Sequence, residues 1–178
     1  MYIVESDFEY KGYRCVTIFT DRGFRCGYVG LPVGHLLYGK DYSDSLDITF
    51  KEIKDVYQEK RGVLPWLMAC LKDYEDKVTL DFYFNVHGSL TYAGSENNYP
   101  IESNLWWLGF DCGHAGDGID LDRVLELWGT NPRIKQRIEI EKEYPYYEDY
   151  PMRDLEYVQQ ECRNFVDQII EYVDKIGG

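Results

Sequence analysis

An α+β domain is predicted by three features of the 178-residue chain. These are β-branched and aromatic runs joined by short turns, one strictly alternating stretch near the middle, and an amphipathic helical repeat at the end. Tyr13 to Thr20 (YRCVTIFT) and Phe24 to Val29 (FRCGYV) form the first pair of runs, and the Asp21-Arg22-Gly23 between them holds the glycine that a tight hairpin favours. Gly30 to Tyr42 has neither period and is rich in turn formers, so it reads as a long ordered loop with His35 as one of its residues. Leu46 to Phe50 is a short strand candidate. Helices are expected over Glu52 to Arg61 and over Pro65 to Tyr74, the second with Pro65 at its start.

Val78 to His87 (VTLDFYFNVH) alternates throughout, with Leu80, Phe82, Phe84 and Val86 on one side and Asp81, Tyr83, Asn85 and His87 on the other, the pattern of a half-buried strand. Leu90 to Ala93 and Leu105 to Asp111 continue it across the Gly94 to Ser103 loop, so an antiparallel meander is the economical topology. Ile119 to Trp128 and Pro132 to Tyr144 are helix candidates, and Tyr144 to Pro151 reads as an extended connection. From Arg153 to Ile176, apolar residues recur at three- and four-residue steps between charges. This terminal helix should cover the sheet, with Phe82, Phe84, Phe165 and Ile169 in the shared core. Its repeat of about three heptads also leaves a coiled-coil dimer open beside a monomer.

No segment divides the chain, and 1–178 is read as one domain. With 44% hydrophobic and 16% aromatic residues it can build a core without disulfides. Its 32 Asp and Glu against 19 Lys and Arg give a formal charge of −13, which disfavours direct binding to nucleic acid or to an anionic membrane surface. Neither a signal peptide nor a membrane span is visible, so a cytoplasmic location is expected. Five cysteines without a CxxC pair (Cys15, Cys26, Cys70, Cys112 and Cys162) should be reduced and mostly buried.

Chemistry-bearing residues gather in Val86 to Tyr92 and in Phe110 to Gly118, both at predicted strand ends. Neighbouring strands would bring His87, Asp111 and His114 into one site, and four arrangements suit that cluster. A divalent metal could draw on His87, Asp111, His114 and Asp117. Cys112 could serve as a nucleophile activated by His87 or His114, although alternation with Asp111 turns it toward the core. A purely structural turn would have Asp111 and Asp117 cap backbone N–H groups while a histidine is satisfied by hydrogen bonds. A small-ligand pocket would have Tyr92, Trp106 and Trp107 as aromatic walls, with Asp117 beside them.

The runs GYVGLPVGHLLYGKDY, VHGSLTY and WWLGFDCGHAGD resemble blocks of a small bacteriophage and prophage protein family whose members read HGGLTY followed by WW-GFDCAHAGD. The likeness spans Gly27 to Asp117 and, weakly, the terminal helix. Ser89 and Gly113 depart from the family pattern, while His87, Cys112, His114 and Asp117 keep it. The resemblance implies a mobile element in a host bacterial cell rather than a reaction.

In that setting the charge acquires a second meaning. Glu139, Glu141, Glu143, Glu148, Asp149, Asp154, Glu156 and Glu161 stand against only Lys142 and Arg153. A solvated helix face is the ordinary reading. The sharper expectation is a cofactor-free inhibitor of a host defence nuclease, anti-CRISPR-like. Glu139, Glu141, Glu143, Glu148 and Asp149, interleaved with Tyr146, Tyr147 and Tyr150, would meet the basic groove of a nucleic-acid-binding partner such as a CRISPR effector. The alternative is a protein that binds or hydrolyses a small molecule or nucleotide at the His87, Asp111 and His114 site, with a divalent metal as its cofactor.

Overall fold

The first 31 residues form three consecutive antiparallel strands, β1 (Tyr2–Tyr10), β2 (Tyr13–Thr20) and β3 (Arg25–Leu31). The computed structural model describes residues 1–53, 76–95, 98–143 and 150–177. After β3 come β4 (Ser45–Thr49), β5 (Lys77–Thr79), the single turn α1 (Leu80–Tyr83), β6 (Tyr92–Gly94), β7 (Trp106–Asp111), α2 (Leu121–Trp128), α3 (Pro132–Glu143) and α4 (Leu155–Gly177). The five-stranded sheet runs β1-β2-β3-β7-β6, and β4 pairs with β5 in a separate two-stranded sheet. The expected α+β class, hairpin and terminal helix are therefore present. The helices expected over Glu52 to Arg61 and Pro65 to Tyr74, and the Tyr144 to Pro151 connection, lie largely outside the described residues.

One expectation is overturned. Of the Val78 to His87 stretch only Val78 and Thr79 lie in a strand, β5, which does not join the main sheet. Tertiary partners explain the difference. The amide of Leu80 donates to the carbonyl of Asp44 at 3.1 Å and that of Asp81 to Tyr42 at 2.9 Å, while the Phe84 N–H closes a helical turn on Leu80 at 3.0 Å. Leu80 and Phe84 then lie one turn apart and both are buried, whereas Phe82 is only partly buried. The backbone beyond finds its partners on a helix: the Gln168 amide bridges the N–H and C=O of Asn85 at 2.7 and 2.9 Å, and Glu161 accepts from the His87 N–H at 3.0 Å. Side chains of α4 thus supply what a neighbouring strand would have supplied.

α4 covers one face of the sheet. Val158, Cys162, Phe165, Val166 and Ile169 pack on Cys15, Val29, Leu108 and Phe110, all essentially inaccessible to solvent. Gly27 makes this approach feasible, since a Cβ there would sit 2.4 Å from the Phe110 ring and 2.8 Å from the Cys162 sulfur. On the opposite face Val16, Ile18, Cys26, Tyr28 and Trp107 are packed by Tyr99, Ile101 and Leu105 from the connection between β6 and β7. α2 and α3 close the end of β2 through Val124, Ile134 and Ile138 against Phe19, whose ring stacks on Trp128 at 6.0 Å.

Strand β1 escaped the sequence reading because it is an edge strand with a register shift between Val4 and Ser6, which breaks its alternation. It carries an inward-facing Glu5 whose side chain is 4% exposed and which accepts from Arg25 at 2.6 Å and Arg123 at 2.7 Å. That pair of ion contacts ties β1 to β3 and α2. The four described cysteines (Cys15, Cys26, Cys112 and Cys162) are free and buried. Among the described residues no helix is long and apolar enough to cross a membrane.

Candidate functional site

Two loops meet beside the N-terminal half of α4. The first follows α1 and carries His87. The second follows β7, and its turn is closed by the Asp117 N–H donating to His114 C=O at 3.0 Å. A parallel bridge between Gly118 and Met152 sets Arg153 next to that turn. Asp117, 3% exposed, then accepts three hydrogen bonds: from His87 Nε2 at 2.7 Å, Arg153 Nε at 2.9 Å and the His114 N–H at 3.1 Å. Burial by itself would raise its carboxyl pKa, but the bonds from His87 and Arg153 outweigh burial and hold it below the usual carboxylate value.

An ionised Asp117 can only accept, so His87 Nε2 carries a proton and donates to it. Nδ1 stands 3.0 Å from the Tyr157 hydroxyl. The Arg153 guanidinium lies over the Tyr157 ring, 4.9 Å from its centroid. Burial, and then the neighbouring Glu161, push the Tyr157 phenol up, so it stays protonated at neutral pH. Both ring nitrogens of His87 are thereby engaged.

His114 lies alongside, with its ring 5.7 Å from that of His87 and its Nε2 3.8 Å from Asp111 Oδ1. Gly88, at φ +70°, is pressed against this ring, and a Cβ on it would fall 1.9 Å from His114 Nε2. Asp111 accepts from the Gly113 N–H at 3.0 Å and from Thr91 Oγ1 at 2.9 Å. The structure thus brings together His87, Asp111, His114 and Asp117, but the partner of His87 is Asp117 rather than Asp111. Both carboxylates cap backbone amides in the way a structural turn requires. Among the described residues no three of His, Cys, Asp and Glu are placed to hold a metal ion. Cys112 faces the core at 1% exposure, and burial pushes its thiol far above the ordinary value, which is no environment for a thiolate nucleophile. His35 is satisfied locally by Tyr13 at 3.2 Å and by the Leu37 N–H at 3.1 Å.

Behind this turn, on the sheet face that α4 does not cover, lies an open cavity of about 480 Å³. Its floor follows from register. Gly109 stands between Tyr28 of β3 and Tyr92 of β6, and the Tyr28 ring lies over it, where a Cβ would come within 2.4 Å. Tyr28, Tyr92 and Tyr99 meet edge to face with centroids 5.2 to 5.5 Å apart, and Tyr2 meets Tyr99 at 5.1 Å. Tyr28 and Tyr99 share a hydroxyl–hydroxyl hydrogen bond, and burial pushes the Tyr99 phenol up to about 12. Phe24, Thr91, Asp111 and Arg22 complete the rim.

Of the expected pocket residues, Tyr92 lines this cavity. Trp107 is buried in the adjoining core with its indole N–H on Ser103 Oγ at 3.0 Å. Trp106 packs on the other face and donates to Lys40 C=O at 2.9 Å. Asp117 belongs to the histidine cluster. Tyr28 and Tyr99 were missed, and the signal available was Gly109 inside an otherwise bulky strand, which marks a place where large neighbours close in.

The acidic run is divided among elements. On α3, Glu139 and Glu143 are exposed, and Glu141 lies 3.6 Å from Arg137. Asp154 caps α4 through the Tyr157 N–H at 2.8 Å, and Glu161 holds His87. Tyr150 is half-buried, and Tyr146, Tyr147, Glu148 and Asp149 lie outside the described residues. Comparison with protein-family models, curated proteins and solved structures returned no match for this chain.

Proposed function

We propose that the protein binds a small molecule in the tyrosine-lined cavity, with the His87–Asp117 cluster holding the loop that shapes one wall. The observation that carries this is the cavity itself. It is an open space of about 480 Å³ walled by four tyrosines with a carboxylate at its edge, within the size range and mixed character of small-ligand sites. Asp111 and Gly113 line the cavity and also adjoin the histidine turn, so the residues of the VHGSLTY and WWLGFDCGHAGD runs serve one structure. A ligand that binds only the folded state raises stability with its concentration, and at 100 times its Kd the gain is about 2.7 kcal/mol. Thermal unfolding against a panel of nucleotides, organic amines, saccharides and aromatic acids tests this. A saturable rise in Tm that Tyr92→Ala abolishes is the expected result.

A second reading, inhibition of a basic nucleic-acid-handling partner such as a CRISPR effector, draws on the net charge of −13 and the exposed carboxylates of α3. It gains less support, because Glu141, Asp154 and Glu161 already have partners within the fold. Charge reversal at Glu139, Glu143 and Glu156 separates the two readings: the mimic loses salt-sensitive inhibition, and the pocket keeps its ligand.

A further inference from the structure

Resting on the pocket reading, we propose that the ligand is a ribonucleotide, with its base against the tyrosines, its ribose hydroxyls on Asp111 and its phosphate on Arg22. The charges around the cavity decide between ligand classes. Asp21 is neutralised by the terminal ammonium of Met1 at 3.1 Å. Asp111 is committed to the Thr91 hydroxyl and the Gly113 amide, one bond to each oxygen. Arg22 lines the same space on the exposed β2–β3 turn and makes no hydrogen bond or ion pair among the described residues. The rim therefore holds a guanidinium with no anionic partner among the described residues and, on Asp111, a carboxylate whose hydrogen bonds come from neutral donors.

An organic cation could use Asp111 but would leave the guanidinium of Arg22 in the same cavity without an anion. An anionic group suits the guanidinium, whose fork donates to phosphate oxygens in bidentate geometry. The walls define the rest of the molecule. Tyrosine rings inclined at 61° to 88° to one another offer faces and edges to a planar ring, as in base–aromatic stacking. Asp111, its side chain 29% exposed, retains lone pairs that can accept from vicinal hydroxyls, the contact that acidic residues make to ribose in dinucleotide sites. A planar base, a diol and a phosphate together describe a nucleotide. At about 480 Å³ the cavity has room for a mononucleotide.

The test is a titration of the full chain with AMP and UMP, the matching nucleosides, ribose 5-phosphate, inorganic phosphate and tetramethylammonium, read by chemical-shift perturbation. A nucleoside monophosphate is expected to move the resonances of Thr91, Tyr92 and Gly113. Arg22→Ala should weaken the monophosphate by about tenfold while leaving the nucleoside nearly unchanged, the value of one charge-assisted contact. Asp111→Asn should narrow the preference for ribonucleotide over its 2′,3′-dideoxy form. Arg22 is exposed, so an unaltered spectrum of the free variant verifies its fold. If tetramethylammonium or another non-nucleotide moves the cavity resonances and nucleotides do not, the ribonucleotide assignment falls and the pocket reading stands. If nucleotides bind but Arg22→Ala changes nothing, the assignment falls as well. If no compound moves those resonances, both fall.

Discussion

The Nε2 of His87 lies 2.7 Å from Oδ2 of Asp117, and this contact joins a loop after α1 to a turn after β7 against the side of α4. Asp117 is nearly inaccessible, so removing one donor leaves a buried carboxylate under-satisfied. His87→Ala is expected to lower the unfolding free energy by about 2–4 kcal/mol. A double-mutant cycle with Asp117→Asn should give a coupling of at least about 1 kcal/mol in denaturant melts. Additive effects would mean the pair does not act as a unit.

Acid should release the same contact. The folded carboxyl of Asp117 lies below its ordinary value of 3.8, so its contribution to stability is complete above that pH and is lost as pH falls from there through the folded value. The Asp117→Asn variant is therefore expected to lose stability less steeply than the wild type below pH 3.8. Asp7 is shifted the same way by its bond to Arg14, but it is solvent-exposed and contributes less. Equilibrium unfolding at a series of acidic pH values compares the two slopes.

Gly88 and Gly12 both hold positive φ, +70° and +84°, yet only Gly88 is pressed on a neighbour. Alanine at Gly12 should cost only the backbone conformation, about 1–2 kcal/mol. Alanine at Gly88 adds displacement of the His114 ring and should cost roughly 1–3 kcal/mol more. Equal losses in thermal or chemical melts would show that His114 moves aside freely.

Much of this architecture is legible in the sequence because it rests on local pattern. The β2–β3 hairpin follows from its runs and Gly23, and α4 from three- and four-residue spacing. What was not legible depends on distant partners. The alternation of Val78 to His87 fits a strand, but Asp44 and Tyr42 take the amides at the start of a helical turn, and Gln168 and Glu161 bond the backbone of Asn85 and His87 beyond it. The candidate site was found for a similar reason in reverse: His87 does reach the carboxylates of the second block, though by a loop rather than a strand end. Arg153 and Tyr157 carry no sequence signal tying them to His87, because tertiary contacts bring them near: the parallel bridge of Gly118 to Met152, the Arg25 bond to the Arg153 carbonyl and the docking of α4 on the sheet.

Thiol chemistry gives a further check. Burial pushes the Cys15 and Cys26 thiols up to about 12 and the Cys112 thiol higher still. Cys112 should resist alkylation in the native protein and react only on unfolding, as peptide mapping after timed labelling would show. Rapid native labelling of Cys112 would restore it as a nucleophile.

The most direct measurement of the central claim is ligand-observed saturation-transfer NMR on the wild type and on Tyr92→Ala, using the same small-molecule panel. The pocket account expects at least one compound class to receive saturation from the wild type and to lose it in the variant while the variant remains folded. Transfer that is absent throughout, or that persists unchanged when Tyr92 is removed, would contradict it.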